Sequence, residues 1–254
     1  PLPANTTSYT VTGLQPSTSY DLRVAARNSA GASYSQVVTG TTQQAVLFSD
    51  DFNLPDGSQL DPSKWEVVFL DRKPDESWYP EIPVTIRSGQ AWRTAPYSWE
   101  LSIYRARGIS ASDYEVSARF AMERGYSNTY IQWREGIAVR LQDASNYYAV
   151  ALRWGYWDWP TVNLFIIKVV GGAESVIAGP LPTGLSYLGF SDVRLKVRVK
   201  GNRIQVWLND VLKFDGTDGS LAVGGVGLYM FNSNVNSSVY AQFYADDFTV
   251  GAVP

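Results

Sequence analysis

Between residues 134 and 153 the sequence changes character at every second position. Ile137, Val139 and Leu141 share one parity, a polar break follows at Asp143-Ala144-Ser145-Asn146, and Val150 and Leu152 resume the apolar series. Period-two alternation on both sides of a short turn specifies a β-hairpin, because only a strand sends successive side chains to opposite faces. With those five residues toward the core, Arg134, Arg140, Gln142, Tyr147 and Arg153 are expected to share the opposite face. The device repeats where Val193, Leu195, Val197 and Val199 alternate with Arg194, Lys196, Arg198 and Lys200, before Gly201-Asn202 turns the chain into residues 204–209. Elsewhere 21 Gly and 13 Pro punctuate runs of Val, Ile, Thr, Tyr and Trp. The best helical stretch, residues 61–67, is too short for more than a turn or two. An all-β chain is predicted.

Composition then narrows the chemistry. The 254 residues contain no His and no Cys. Ser-His-Asp triads, imidazole bases, thiol nucleophiles, disulfides and zinc or iron–sulfur ligation are thereby excluded. A net charge of −3 provides no positive field for a phosphate backbone, so nucleic acid is not an expected partner. The longest wholly apolar run, residues 164–167, falls far short of the roughly 18 residues of a membrane helix. No signal peptide opens the sequence, and any export signal is expected to lie outside it.

Residues 1–44 differ from the rest. They contain no Trp, and their only charged side chains are Asp21, Arg23 and Arg27. Residues 9–14 and 20–26 alternate as strands, and Leu14-Gln15-Pro16-Ser17-Thr18-Ser19-Tyr20 reads as a sandwich corner in which a Tyr hydroxyl ties a strand start to upstream backbone. Followed by Arg27-Asn28-Ser29-Ala30-Gly31 and Val37-Val38-Thr39-Gly40-Thr41-Thr42, this segment resembles the C-terminal half of a fibronectin type III domain. Such sandwiches need about 100 residues. The expectation is therefore a partial fibronectin type III sandwich, completed by more polypeptide on the N-terminal side or by another subunit.

Residues 45–254 form the second predicted domain. Phe48-Ser49-Asp50-Asp51-Phe52-Asn53, Asp56-Gly57 and Trp65 at its start, Asp113-Tyr114-Glu115-Val116 in the middle, and Gly224-Gly225-Val226-Gly227-Leu228-Tyr229 with Asp246-Asp247-Phe248-Thr249-Val250 at its end resemble concanavalin A-like, laminin G-like jelly rolls of bacterial and phage surface proteins. The resemblance implies an antiparallel jelly-roll β-sandwich of two large sheets, with first and last strands paired and a concave face that often binds glycans.

Against that fold the aromatic residues gain meaning. The chain holds 9 Trp, 16 Tyr and 10 Phe, with dense groups around Trp78 to Tyr104 and Tyr130 to Trp159. Trp154-Gly155-Tyr156-Trp157-Asp158-Trp159-Pro160 reads as a loop whose rings cover the apolar face of a sugar while Asp and Arg take its hydroxyls. The same rings would equally serve as a cover for the sheet or as a protein interface. Trp154, Tyr156, Trp157, Asp158, Trp159 and Trp99, with Arg134, Arg140, Gln142, Tyr147 and Arg153, are the expected ligand contacts. The basic stripe of Arg194 to Lys200 is a solvated face or a weaker candidate.

Paired terminal strands would bring Asp50, Asp51, Asp246 and Asp247 together, a hard-oxygen set suited to a structural Ca²⁺. Jelly-roll glucanases carry a Glu-x-Asp-x-x-Glu motif that this sequence lacks. The expectation is a non-catalytic module for carbohydrate binding or adhesion, extracellular or on a cell or virion surface. The alternative is a structural subunit of a phage fibre, capsid decoration or surface filament, assembled through the jelly roll; glycoside hydrolysis ranks behind both.

Overall fold

The computed structural model describes residues 2–3, 5–70, 83–94, 100–124, 132–155, 161–186, 189–232 and 241–253. Every regular element among them is a β-strand. The chain divides into two compact units, residues 1–45 with 252–254, and residues 46–251.

In the first unit β1 (Ser19–Leu22) pairs with β4 (Val38–Thr41), and β2 (Ala25–Asn28) pairs with β3 (Gly31–Tyr34), both antiparallel. The Tyr20 hydroxyl accepts the Gln15 N–H at 2.9 Å, the corner that the sequence spells. No described residue of this unit is buried, and Tyr9, Val24 and Val38 are 68%, 69% and 67% exposed. Two strand pairs have no second layer here to cover their apolar side chains.

The second unit contains β5 (Val46–Asp50), β6 (Trp65–Leu70), β7 (Thr85–Arg87), β8 (Gln90–Thr94), β9 (Glu100–Ala106), β10 (Tyr114–Arg124), β11 (Gln132–Asp143) and β12 (Asn146–Gly155). It continues with β13 (Thr161–Val170), β14 (Ala173–Ser186), β15 (Gly189–Lys200), β16 (Arg203–Leu208), β17 (Val211–Thr217), β18 (Gly225–Asn232) and β19 (Ala241–Ala252). A seven-stranded sheet runs β14-β13-β12-β11-β18-β9-β6, and an eight-stranded sheet runs β17-β16-β15-β10-β19-β8-β7, with β5 also on β19. First and last strands pair, Asp50 opposite Phe248.

One apolar layer joins the sheets. The eight-stranded sheet contributes chiefly Tyr114, Phe120, Leu195, Val197 and Val206, which share a single core with Ile137, Val139, Val150, Leu152 and Leu228 of the other sheet. The inward row of β15 is Val193, Leu195, Val197 and Val199, as the alternation requires. Its outward basic residues are neutralised locally, Arg198 by Glu115 at 2.6 Å and Arg194 by Asp210 at 3.8 Å, while the Lys196 ammonium lies 4.6 Å from the Trp207 ring centre. The stripe is a row of surface pairs.

The predicted hairpin is β11 and β12, with Ile137 opposite Val150 and Asp143 opposite Asn146. Its alternation breaks once. The register shifts after Val139, and Arg140 takes a φ of 47°. An extra residue in a strand exchanges the two faces for every later position. Arg140 consequently turns inward and is fully buried, whereas Leu141 joins the apolar cluster on the outward face.

Candidate functional site

The outward face of the seven-stranded sheet is built in register rows. In one, Asn163, Arg153, Arg134, Phe231 and Leu101 lie side by side across β13, β12, β11, β18 and β9. The next holds Phe165, Ala151, Gly136, Tyr229 and Ile103, and a third includes Ile167, Ala149, Ala138 and Gly227. Glycine and alanine at the centre put the floor near backbone level. Tyr147, Tyr229 and Phe165 stand around it in a second apolar cluster, separate from the inter-sheet core. A sandwich normally turns polar residues outward, so a cluster of this kind on an outer face calls for a cover, and its residues are covered: Ala138, Ala149 and Ala151 are 0% exposed and Tyr229 2%.

Polar groups complete the surface. Arg134 Nη1 donates to both carboxylate oxygens of Glu174 at 2.8 Å, although β12 and β13 separate their strands. A contact across two intervening strands requires the face to be concave there. The Arg134 guanidinium also lies 5.0 Å from the Phe231 ring centre, and that of Arg153 lies 4.0 Å from Phe165. Tyr147 and Tyr229 rings are 6.1 Å apart. Burial pushes the Tyr229 phenol up to about 12 and raises that of Tyr147 as well, so both remain neutral hydrogen-bonding groups at physiological pH.

The structure brings together Arg134, Tyr147 and Arg153 on this face. Gln142 sits apart at the hairpin end, exposed, its amide donating to the Val223 carbonyl at 3.0 Å. Arg140 departs from the expected set: the bulge directs its guanidinium to the carbonyls of Leu221, at 2.6 Å, Ser112, at 3.1 Å, and Gly201. Trp154 departs too. It is 6% exposed and belongs to the inter-sheet core, 6.4 Å from the Trp133 ring. Its parity with Val150 and Leu152 carries that signal. Trp99, Tyr156, Trp157, Asp158 and Trp159 lie outside the described residues.

Three of the four aspartates expected to hold calcium are otherwise engaged. Asp50 is buried and accepts the Trp65 indole N–H at 2.6 Å and the Lys64 ammonium at 3.1 Å. Asp247 pairs with Arg119 at 3.3 Å, and Asp246 accepts the Gln90 amide at 3.4 Å. Asp51 is exposed. Among the described residues no group of three or more acidic side chains could hold a metal ion. Asp50→Ala is therefore expected to cost about 1–2 kcal/mol, because it strands a buried indole N–H. Thermal melts of the variant and the parent should be unaffected by EDTA; a fall with EDTA in the parent alone would establish a calcium site there.

A second concavity lies on the outer face of the eight-stranded sheet, a cleft of about 560 Å³ that draws residues from β7, β8, β10, β15 and β19. Sequence reasoning missed it because its lining comes from five separated strands. Two irregularities shape it. Between the pairs Phe120–Val193 and Met122–Phe190, β15 has one residue more than β10, with Asp192 at a φ of 55°. On β19 the inward series passes from Phe243 and Ala245 to Phe248 and Val250, with Asp247 at a φ of 49°. Burial raises the Asp246 carboxyl above its ordinary value, and the neighbouring Asp247 charge adds to that.

Residues 1–41 match the family model of the fibronectin type III domain. No curated protein matches the chain. Among solved structures, an endo-acting O-glycanase structure from the human gut microbiota is 8% identical with a TM-score of 0.56, covering 82% of this chain and 100% of its own. A beta-1,3-glucanase from Mycobacterium marinum is 16% identical with a TM-score of 0.52, over 81% of this chain and 98% of its own. The catalytic domain of an endo-1,3-beta-glucanase (laminarinase) from Thermotoga petrophila is 13% identical with a TM-score of 0.52, over 82% and 97%. The second unit is a jelly roll. At such identities the likeness concerns the fold. The fold is nevertheless one that catalytic domains use, and this overturns the expectation of a module without catalysis.

Proposed function

We propose that the jelly roll recognises a glycan along the outward face of its seven-stranded sheet, and that the protein works outside the cell or at its surface. The observation that carries this reading is the partly exposed pair Arg134 and Arg153, set beside the Phe231 and Phe165 rings at the edge of a concave apolar face whose Gly136, Ala138, Ala149, Ala151, Tyr147 and Tyr229 are themselves buried. An aromatic ring beside a guanidinium offers a sugar an apolar C–H contact together with donors for its hydroxyl oxygens. Structural neighbours that act on glycans support the reading at the level of fold.

A printed glycan array followed by calorimetry tests it, with reducing-end release measured on every glycan that binds. Arg134→Lys keeps the charge and the stem but loses the planar fork. Its affinity for the bound glycan is expected to fall at least about tenfold, or about 1.4 kcal/mol, with little change in melting temperature. An array on which the parent binds nothing, or a variant that binds every one of the parent's glycans undiminished, would defeat the proposal.

A further inference from the structure

We propose that the cleft on the eight-stranded sheet is a second saccharide site, one that takes a neutral sugar unit through Glu123, Arg87, Gln90 and Asp246 with Phe190 as its apolar wall. The proposal rests on the glycan reading of the domain but on none of the same side chains. The cleft volume of about 560 Å³ falls within the roughly 300–1,000 Å³ common for small-ligand sites.

Its charge pattern selects the class of ligand. Arg87 and Arg119 face Glu123, Asp192 and Asp246 within one lining. An anion would meet three carboxylates and a cation two guanidinium groups, whereas a neutral polyol finds donors and acceptors side by side. Arg87 and Tyr244 of the lining are held by Gln242, whose Oε1 accepts from Arg87 Nη1 at 3.0 Å, Trp92 Nε1 at 3.2 Å and the Tyr244 hydroxyl at 2.9 Å. Arg87 is held further by the Trp92 ring, 5.1 Å from its guanidinium carbon.

A carboxylate acceptor, Glu123, lines this site. The Tyr244 hydroxyl also lies 3.2 Å from Glu123 Oε2. Gln242 Oε1 already accepts from Arg87 and Trp92, so the exposed Glu123 carboxylate is the acceptor with lone pairs to offer a ligand hydroxyl. The bulge on β15 places Phe190 and Ser191 beside it, which adds an apolar patch to the polar row. Bulges commonly re-aim side chains in this manner next to binding sites.

The test uses the full chain and an array of neutral glucose-, galactose- and mannose-based oligosaccharides, read for the parent, Glu123→Gln, Ser191→Trp and Arg134→Lys. Ser191 is exposed, so its replacement fills the cleft without entering the core. At least one oligosaccharide is expected to bind tenfold or more weakly to both cleft variants while Arg134→Lys binds it normally. If every bound oligosaccharide is indifferent to both cleft variants, the second site is overturned, and the seven-stranded face stands where Arg134→Lys weakens binding. If only the cleft variants lose binding, the cleft stands and the seven-stranded face falls. A parent that binds none of the oligosaccharides overturns both.

Discussion

Arg140→Ala is expected to cost about 3–5 kcal/mol of stability, and to do so without removing a ligand contact. The guanidinium is fully buried and bonds to the carbonyls of Leu221, Ser112 and Gly201, so one side chain ties β11 to three turns. Its own backbone N–H donates to the Tyr114 hydroxyl at 2.7 Å, and that hydroxyl donates to the Gly225 carbonyl at 2.9 Å. Truncation leaves three carbonyl oxygens in need of donors, each worth about 1–3 kcal/mol when it stays dry. For a domain of this size the midpoint should drop by roughly 2–4 °C per kcal/mol. Arg140→Lys keeps a donor but cannot span three carbonyls in one plane, and should recover only part of the loss. Chemical denaturation with parallel calorimetry on the array-selected glycan separates the roles. Weakened binding by fully folded Arg140→Ala protein would return this residue to the ligand site.

That residue also marks where sequence reasoning stops. Alternation located the β11–β12 hairpin and the inward row of β15, and the Leu14 to Tyr20 segment foretold the hydrogen bond from Gln15 to Tyr20. These features are local: each depends on neighbours within one turn. A bulge is also local, but it has no composition of its own, and a single extra residue exchanged the faces of Arg140 and Leu141. Trp154 failed differently. Its parity with Leu152 pointed inward, but the density of aromatic residues after it drew it into a loop. The cleft on the eight-stranded sheet was beyond reach, because Arg87, Glu123, Asp192 and Asp246 meet only once five strands are ordered.

Glu135 provides the second large effect, in the opposite direction. It follows the inward parity of Trp133 and Ile137, and lies between Leu152 and Met230 in the adjoining strands. The residue is 1% exposed, and neither carboxylate oxygen has a hydrogen-bond partner among the described residues. Burial alone drives its carboxyl well above the ordinary value of 4.5. A raised folded-state value means that the stability tied to this group is fully present below about pH 4.5 and is lost as pH rises through the folded value. Glu135→Gln should remove that slope while keeping a buried polar group. Glu135→Leu should remove both, and raise stability at neutral pH by about 1–3 kcal/mol, seen as a midpoint several degrees higher. Denaturant titrations of the three proteins between pH 4 and pH 8 decide the matter. A destabilised Glu135→Leu protein with no change in slope would mean that the carboxylate is compensated in the folded core, and the assignment of Glu135 as an uncompensated buried acid would be wrong.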